Sequence, residues 1–297
     1  MPTSLVLLSA FIALLAWGVG DFLIQRTVRR IGSLEALFFI GLFGGIVLAP
    51  FGARDAMAAL GHLPAAKLLW GTLAITILSS MVEFEAFRRG KLAVIEPVIS
   101  AELIFTIIIA LVLLGEQITG WQTLFTVGVV VGVTLTIIRH SHRRWWQLWQ
   151  RQSILETGVY LGIFAALGMA VANVLTGLAS RVTTPLATIW FAFSGLAVFT
   201  FIILVIRRRA RALVKQAVNH WPLILSESAF DTAAWLAYAV VVTELPIAIT
   251  IAITESYVAL AAILGMYFNR ERLQSHQRLG VAVALGSAII LAAVSAR

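Results

Sequence analysis

The sequence predicts an all-α integral membrane protein: ten transmembrane helices arranged as two inverted five-helix repeats around a central cavity. Three observations predict it. The chain is 60% hydrophobic and only 12% charged, with a mean hydropathy of +0.96, well above what soluble domains carry. Its uncharged apolar runs reach the roughly 20 residues that a helix needs to cross a hydrocarbon core. The plan of Val94–Ile138 also recurs in Ile247–Val294. In the earlier stretch an apolar run holds Glu102, the hinge Gly115-Glu116-Gln117 follows, and a second apolar run bears Gly128 and Gly132. In the later one the corresponding features are Glu255, the hinge Asn269-Arg270-Glu271-Arg272, then Gly280 and Gly286. Glu102 and Glu255 lie 153 residues apart and Glu116 and Glu271 155 apart, so a two-residue slip separates the anchors.

Taken in order, the expected spans are 4–24, 34–53, 66–87, 94–114, 121–139, 157–178, 185–206, 222–243, 246–268 and 276–295. Helices are the expected form, because runs this long lack the two-residue alternation of a barrel strand. The first run could be mistaken for a signal peptide. No Lys or Arg precedes it, however, and Asp21 lies near its end, so it stays a span. Of the 22 Lys and Arg residues, only Arg54, Lys67, Arg181 and Arg297 fall on the side of the N-terminus; the other 18 fall opposite, including Arg88, Arg89 and Arg207-Arg208-Arg209. Basic residues concentrate on the cytoplasmic side, which puts both termini outside an inner (plasma) membrane. The net charge of +8 is then topology and attraction to anionic lipid, and nucleic acid is not an expected partner.

Three segments follow: a first five-helix repeat (1–139), a basic amphipathic cytoplasmic linker (140–156) and a second repeat (157–297). In the linker Trp145, Trp146 and Trp149 stand beside Arg143, Arg144 and Arg151, a pattern suited to a helix lying in the interface. His140 and His142 lack further ligands nearby, so no metal site is expected, and no cofactor either. The chain has no cysteine, which removes disulfides, thiol catalysis and thiolate metal sites. Five is an odd number of crossings, so the second repeat enters the membrane upside down relative to the first, as in many secondary transporters. Trp17-Gly18-Val19-Gly20-Asp21 is echoed by Gly168–Asn173, with Asp21 and Asn173 152 residues apart.

With its Gly115-Glu116 and Arg270-Glu271 hinges before Gly-bearing last spans, and Trp17-Gly18 in the first, the sequence resembles the ten-span EamA-type branch of the drug/metabolite transporter superfamily. The family's usual Pro one residue after the mid-span Glu is replaced by Leu103 and Ser256; Pro97 and Pro246 lie earlier in their spans. The resemblance implies a cavity lined by spans one to four and six to nine, with spans five and ten outside it. It also implies transport of amino acids, nucleotide sugars or amphipathic drugs by alternating access.

Polar residues inside the spans are the expected chemistry, since ionisable groups there are costly and mark function by default. Glu227, Asp231, Trp235 and Tyr238 share one face of span eight. Two carboxylates and two aromatic rings on one face suit a cation; the alternative for Glu227 is solvation near the inner end. Trp17 and Asp21 repeat the aromatic–carboxylate pairing, although Asp21 could instead pair with Arg26. Glu102 and Glu255 stand roughly 12–14 Å into the bilayer at 1.5 Å per residue, where a carboxyl able to gain and lose a proton is a coupling group. The alternative is a neutral Glu bonding neighbouring helices.

Expected substrate contacts are therefore Trp17, Asp21, Asn173, Trp190, Asp231, Trp235, Tyr238 and Tyr257, with Glu102, Glu255 and Glu227 for proton coupling. Glu83 and Glu85, beside Arg88 and Arg89, read as interfacial ion pairs, and Glu116 and Glu271 as groups that satisfy helix ends. The expected function is secondary active transport of a small organic solute (metabolite, amino acid or amphipathic cation), possible with or without proton coupling. An uncoupled facilitator or exchanger is the nearest rival. An enzyme is not expected, for want of an HExxH motif, a phosphate-binding Gly loop or a nucleophile triad, and nothing repeats in the way a channel filter requires. The expected partners are the solute and the lipid bilayer, with the chain acting as monomer or homodimer.

Overall fold

Backbone groups that leave water must bond within their own segment, and every regular element among the described residues is a helix. The structure, a computed structural model, describes residues 3–89, 95, 98–137, 157–268 and 273–295. The elements are α1 (Thr3–Ile31), α2 (Ser33–Ala59), α3 (Leu63–Arg89), α4 (Glu102–Ile108, continuing as a π-helical turn over Ile109–Leu113), α5 (Gly120–Ile137), α6 (Thr157–Val182), α7 (Pro185–Ile206), α8 (Ala210–Glu244), α9 (Ile247–Thr254), α10 (Tyr257–Phe268) and α11 (Ser275–Ser295). The linker 140–156 and the hinge Asn269-Arg270-Glu271-Arg272 lie outside the described residues.

Seven of these helices are long and apolar enough, by length and composition, to cross a bilayer. Two shorter apolar stretches, Glu102–Leu113 and Ile247–Leu260, accompany them. The outer faces are apolar: Phe51, Trp70, Leu78, Val112 and Ile206 are all exposed, a surface that acyl chains cover and water would not.

Three expected spans differ in form. The eighth begins at Ala210, inside the basic run, and reaches Glu244, about a dozen residues longer than the apolar window. It bends at His220 (φ −129°, ψ 18°), where Pro222 withholds an N–H and crowds the preceding turn. The fourth and ninth spans are each interrupted, as described below.

Four pairings carry most of the bundle: α2 against α7, α3 against α6, α5 against α11, and α1 against α8. Small residues let the backbones approach. A Cβ on Gly44 would lie 2.1 Å from Phe193 Cδ2, and one on Gly52 2.4 Å from the Leu186 carbonyl oxygen. Between α5 and α11, a Cβ on Gly132 would lie 2.4 Å from the Ala284 nitrogen. These two helices start alike. The Gln122 carboxamide oxygen accepts from the Thr119 N–H (2.8 Å) and the Gln277 oxygen from the Gln274 N–H (3.0 Å). Each Gln also reaches the far end of the other helix: Gln122 Nε2 donates to Ser295 Oγ (3.3 Å) and Gln277 Nε2 to the Thr136 carbonyl (3.0 Å).

Candidate functional site

The interruptions of spans four and nine fall at the two mid-span glutamates. Near Glu102 the ladder tightens to three-residue steps: Ala101 N–H donates to Val98 O, Leu103 to Ser100 and Ile104 to Ala101. Near Glu255 the same happens, with Ser256 N–H donating to Ile253 O, Val258 to Glu255 and Ala259 to Ser256. Such tightened turns inside a helix re-aim side chains and often mark functional hinges. Here they bring two carboxyl groups from distant stretches of chain into hydrogen-bonding contact, Glu102 with Glu255.

The pair stands on the wall of a cavity that opens to solvent. Trp17, Asp21 and Ile24 of α1 line it, with Thr76, Ser80, Glu83 and Phe84 of α3, Met169 and Asn173 of α6, Asp231 and Trp235 of α8, and Tyr257 of α10. Leu37, Ile40, Ile99, Phe193 and Leu196 complete the wall. Five carboxyls face this space, and no Lys or Arg is among its described lining residues. Asp231 is within electrostatic range of Asp21, and Asp21 of Glu102. The Asn173 amide faces the Glu102 carboxyl, yet its nitrogen closes no hydrogen bond of normal length and angle. The indole of Trp17 meets that of Trp235 edge-on, 5.6 Å between centroids, and lies 5.7 Å from the Tyr238 ring. Charge and ring faces together are what an organic cation binds.

The structure thus brings Trp17, Asp21, Asn173, Asp231, Trp235, Tyr257, Glu102 and Glu255 to one cavity. The other three expected site residues lie elsewhere. Tyr238 stands behind the wall, fully buried, its hydroxyl donating to the Asn173 backbone carbonyl at 3.1 Å. Trp190 points to α2, where its Nε1 donates to the Gly45 carbonyl at 3.0 Å, so it packs two helices together and does not line the cavity. Glu227 is fully buried, against the alternative of a solvated inner end. The Thr27 hydroxyl faces it but donates to the Leu23 carbonyl (3.0 Å), and neither Glu227 oxygen has a hydrogen-bond donor among the described residues. Arg26 lies over the Phe22 ring, 4.3 Å from its centroid.

Sequence reasoning missed Glu83. Glu85 forms expected ion pairs, with Arg88 and Arg89, and it also accepts from Ser33 Oγ (3.0 Å). Two positions earlier, about 200° around the helix, Glu83 turns to the cavity. The signal was present as a polar stripe, Thr76, Ser80 and Glu83, at helical spacing.

The cavity reaches from mid-bundle toward the Arg-bearing ends of α1 (Arg29, Arg30) and α3 (Arg88, Arg89). There Arg209 pairs with the fully buried Glu35 at 2.8 Å. The opposite end is clasped. Glu116 does not serve its own hinge; its Oε1 and Oε2 accept from the Ile247 and Ala248 N–H groups (2.9 and 3.1 Å) at the start of α9. Arg181 of α6 pairs with Glu116 at 3.1 Å and donates to the Val242 and Leu245 carbonyls, both at 2.9 Å. The segment before Glu116 ends on Gly115 in the left-handed region (φ 66°), with the Glu116 N–H returning to the Ala110 carbonyl at 3.0 Å. Only glycine takes that turn without a steric cost.

No curated protein matches the sequence. A solved crystal structure, described only as that of a protein, superposes over 99% of this chain and 98% of its own, at a TM-score of 0.74 and 12% identity; it shares the fold. The EamA-like transporter family matches residues 4–138 and again 156–293. The chain is a multi-pass membrane protein belonging to the EamA-like transporter family, within the drug/metabolite transporter superfamily.

Proposed function

We propose that this transporter carries a small cationic organic solute across the inner membrane by alternating access, with proton movement on the Glu102–Glu255 pair coupled to solute movement. The observation that carries it is that pair, in contact on the wall of an acid-lined, indole-bearing cavity with no Lys or Arg among its described lining residues. Two carboxyls in contact at low dielectric hold one proton between them, because adjacent bare charges repel. An arriving cation displaces that proton, and a returning proton displaces the cation.

The frame for this motion is a ten-span bundle of two inverted five-helix repeats, residues 1–139 and 157–297, joined by the cytoplasmic linker 140–156. Its support is the pairing of helices. Exchange the first five spans with the last five, in order, and α2–α7 and α5–α11 map onto themselves while α3–α6 maps onto α8–α1. The reciprocal reach of Gln122 and Gln277 obeys the same exchange. The basic ends face the cytoplasm and both termini lie outside. The cavity then extends toward the cytoplasm and the Glu116–Arg181 clasp closes the outer end. Each half buries its own side of the site, which suits a working monomer.

The test is flux in proteoliposomes with labelled tetraethylammonium and labelled putrescine as cationic probes. Flux of either probe that follows an imposed pH gradient, and loses that response in Glu255→Gln, supports the reading. Flux indifferent to pH favours an uncoupled exchanger of the same fold, and no flux of any cation removes the proposal.

A further inference from the structure

Asn173 stands opposite Glu102 with its donor unused. It lies on the cavity wall, 2% exposed. Its amide faces the Glu102 carboxyl, yet the nitrogen closes no hydrogen bond to any described residue. A buried N–H left in that condition is uncommon, because it forfeits water without gaining a partner. The backbone that carries it is fixed. Tyr238 donates its hydroxyl to the Asn173 carbonyl at 3.1 Å. Five residues earlier in α6 a Cβ on Gly168 would lie 2.8 Å from Ser79 Cβ, and four residues later one on Gly177 would lie 2.9 Å from Val242 Cγ2. What remains able to move is the side chain, by rotation about its own bonds.

A carboxylic acid and a carboxylate ask different things of that amide. The acid has an O–H of its own to place, whereas the carboxylate only accepts, and an N–H donated to it is about twice as strong as one between neutral groups. We infer that Asn173 is a positioning residue for proton exchange, closing its N–H onto Glu102 when the Glu102–Glu255 pair gives up its proton and opening when the proton returns. The inference rests on reading that pair as the proton site and deepens it. In the proposed repeat, Asn173 takes the place that Asp21 holds in the first half, 152 residues before it. A second acid there would oppose charge on Glu102; an amide favours it. Among the described residues, the titratable groups facing Glu102 are Glu255 just beyond α9, Asp21 of α1 and Tyr238 of α8, with Glu83 and Asp231 further along the wall. All five are common to the unaltered protein and to variants at position 173, so a change in titration reports the amide.

The experiment is infrared difference spectroscopy of the full-length protein in proteoliposomes, following the carboxylic-acid C=O band across about pH 4–10. Glu102→Gln identifies the band that belongs to the pair. Expected is a rise in the midpoint of that band by about one pH unit or more in Asn173→Leu, which keeps the bulk and removes the donor. Asn173→Gln, which retains an N–H, is expected to stay within about half a unit of the unaltered protein. Unchanged thermal unfolding establishes that each variant is folded; should Asn173→Leu fail to fold, Asn173→Ala carries the same expectation. Coincident midpoints in the unaltered protein and the variant without a donor, or a Gln variant that moves as far as that one, overturn the role of Asn173 and leave the pair standing as the proton site. The lack of any titrating band that Glu102→Gln removes overturns both.

Discussion

Arg181 and Glu116 clasp the end of the bundle away from the cavity mouth: the guanidinium and carboxylate pair at 3.1 Å, and each also holds backbone at the turn between α8 and α9. Truncating Arg181 leaves the Val242 and Leu245 carbonyls without their side-chain donor and the Glu116 carboxylate without its cation. We expect Arg181→Ala to shift the conformational balance by about 1.5–3 kcal/mol, the worth of a charge-assisted contact. The chain has no native cysteine, so Ser80→Cys reports directly on the cavity. External labelling of that thiol by an impermeant maleimide should rise severalfold in the Arg181→Ala background; an unchanged rate would mean that the clasp is not a gate.

On the proposed function, the carboxyl pair exchanges a proton and contributes little to stability. Replacing a buried ionisable contact by a neutral amide of the same shape often leaves stability unchanged or raises it. Glu102→Gln is therefore expected to unfold within about 3 °C of the unaltered protein, or above it, while losing the pH response of flux. A fall of ten degrees would assign Glu102 to the scaffold.

Glycine positions separate packing from propensity. Gly44→Ala forces a Cβ to within 2.1 Å of the Phe193 ring and Gly52→Ala to 2.4 Å from a backbone oxygen, an overpacking cost of about 1–3 kcal/mol. Gly286, inside α11, has nothing within 4 Å of its virtual Cβ. Gly286→Ala should gain up to about 1 kcal/mol from helix propensity. Thermal unfolding in detergent ranks the three, and equal melting points would contradict the α2–α7 contact.

On the proposed function, Tyr238 acts through Asn173. Tyr238→Phe removes the hydroxyl that donates to the Asn173 carbonyl, a loss of about 1 kcal/mol. The expected kinetic signature is a raised apparent KM for cation flux with little change in maximal rate, since the shifted amide faces the Glu102 carboxyl. A changed maximal rate with constant KM would assign the bond to the transport motion.

The acidic site was legible because charge inside an apolar run is conspicuous, and Glu102, Glu255, Asp21 and Asp231 announce themselves that way. Glu83 was not, because Arg88, Arg89 and Glu85 suggested an ion-pair cluster and a linear reading ignores the turn between positions 83 and 85. The interruptions at Glu102 and Glu255 carry no Gly or Pro of their own; Pro97 and Pro246 lie several residues earlier, so tertiary packing and not local composition sets where the ladder tightens. Trp190 and Tyr238 share faces with site residues, but helix-to-helix distance decides which member of a face meets the cavity. The start of α8 was hidden by Arg207-Arg208-Arg209, whose charge reads as a loop although Arg and Lys are good helix formers.

The most direct test of the account is cation flux into proteoliposomes under an outward or inward pH gradient, compared between the unaltered protein and Glu255→Gln. The account expects probe movement to reverse with the gradient in the first and to ignore it in the second. Gradient-driven flux that persists unchanged in Glu255→Gln would contradict it.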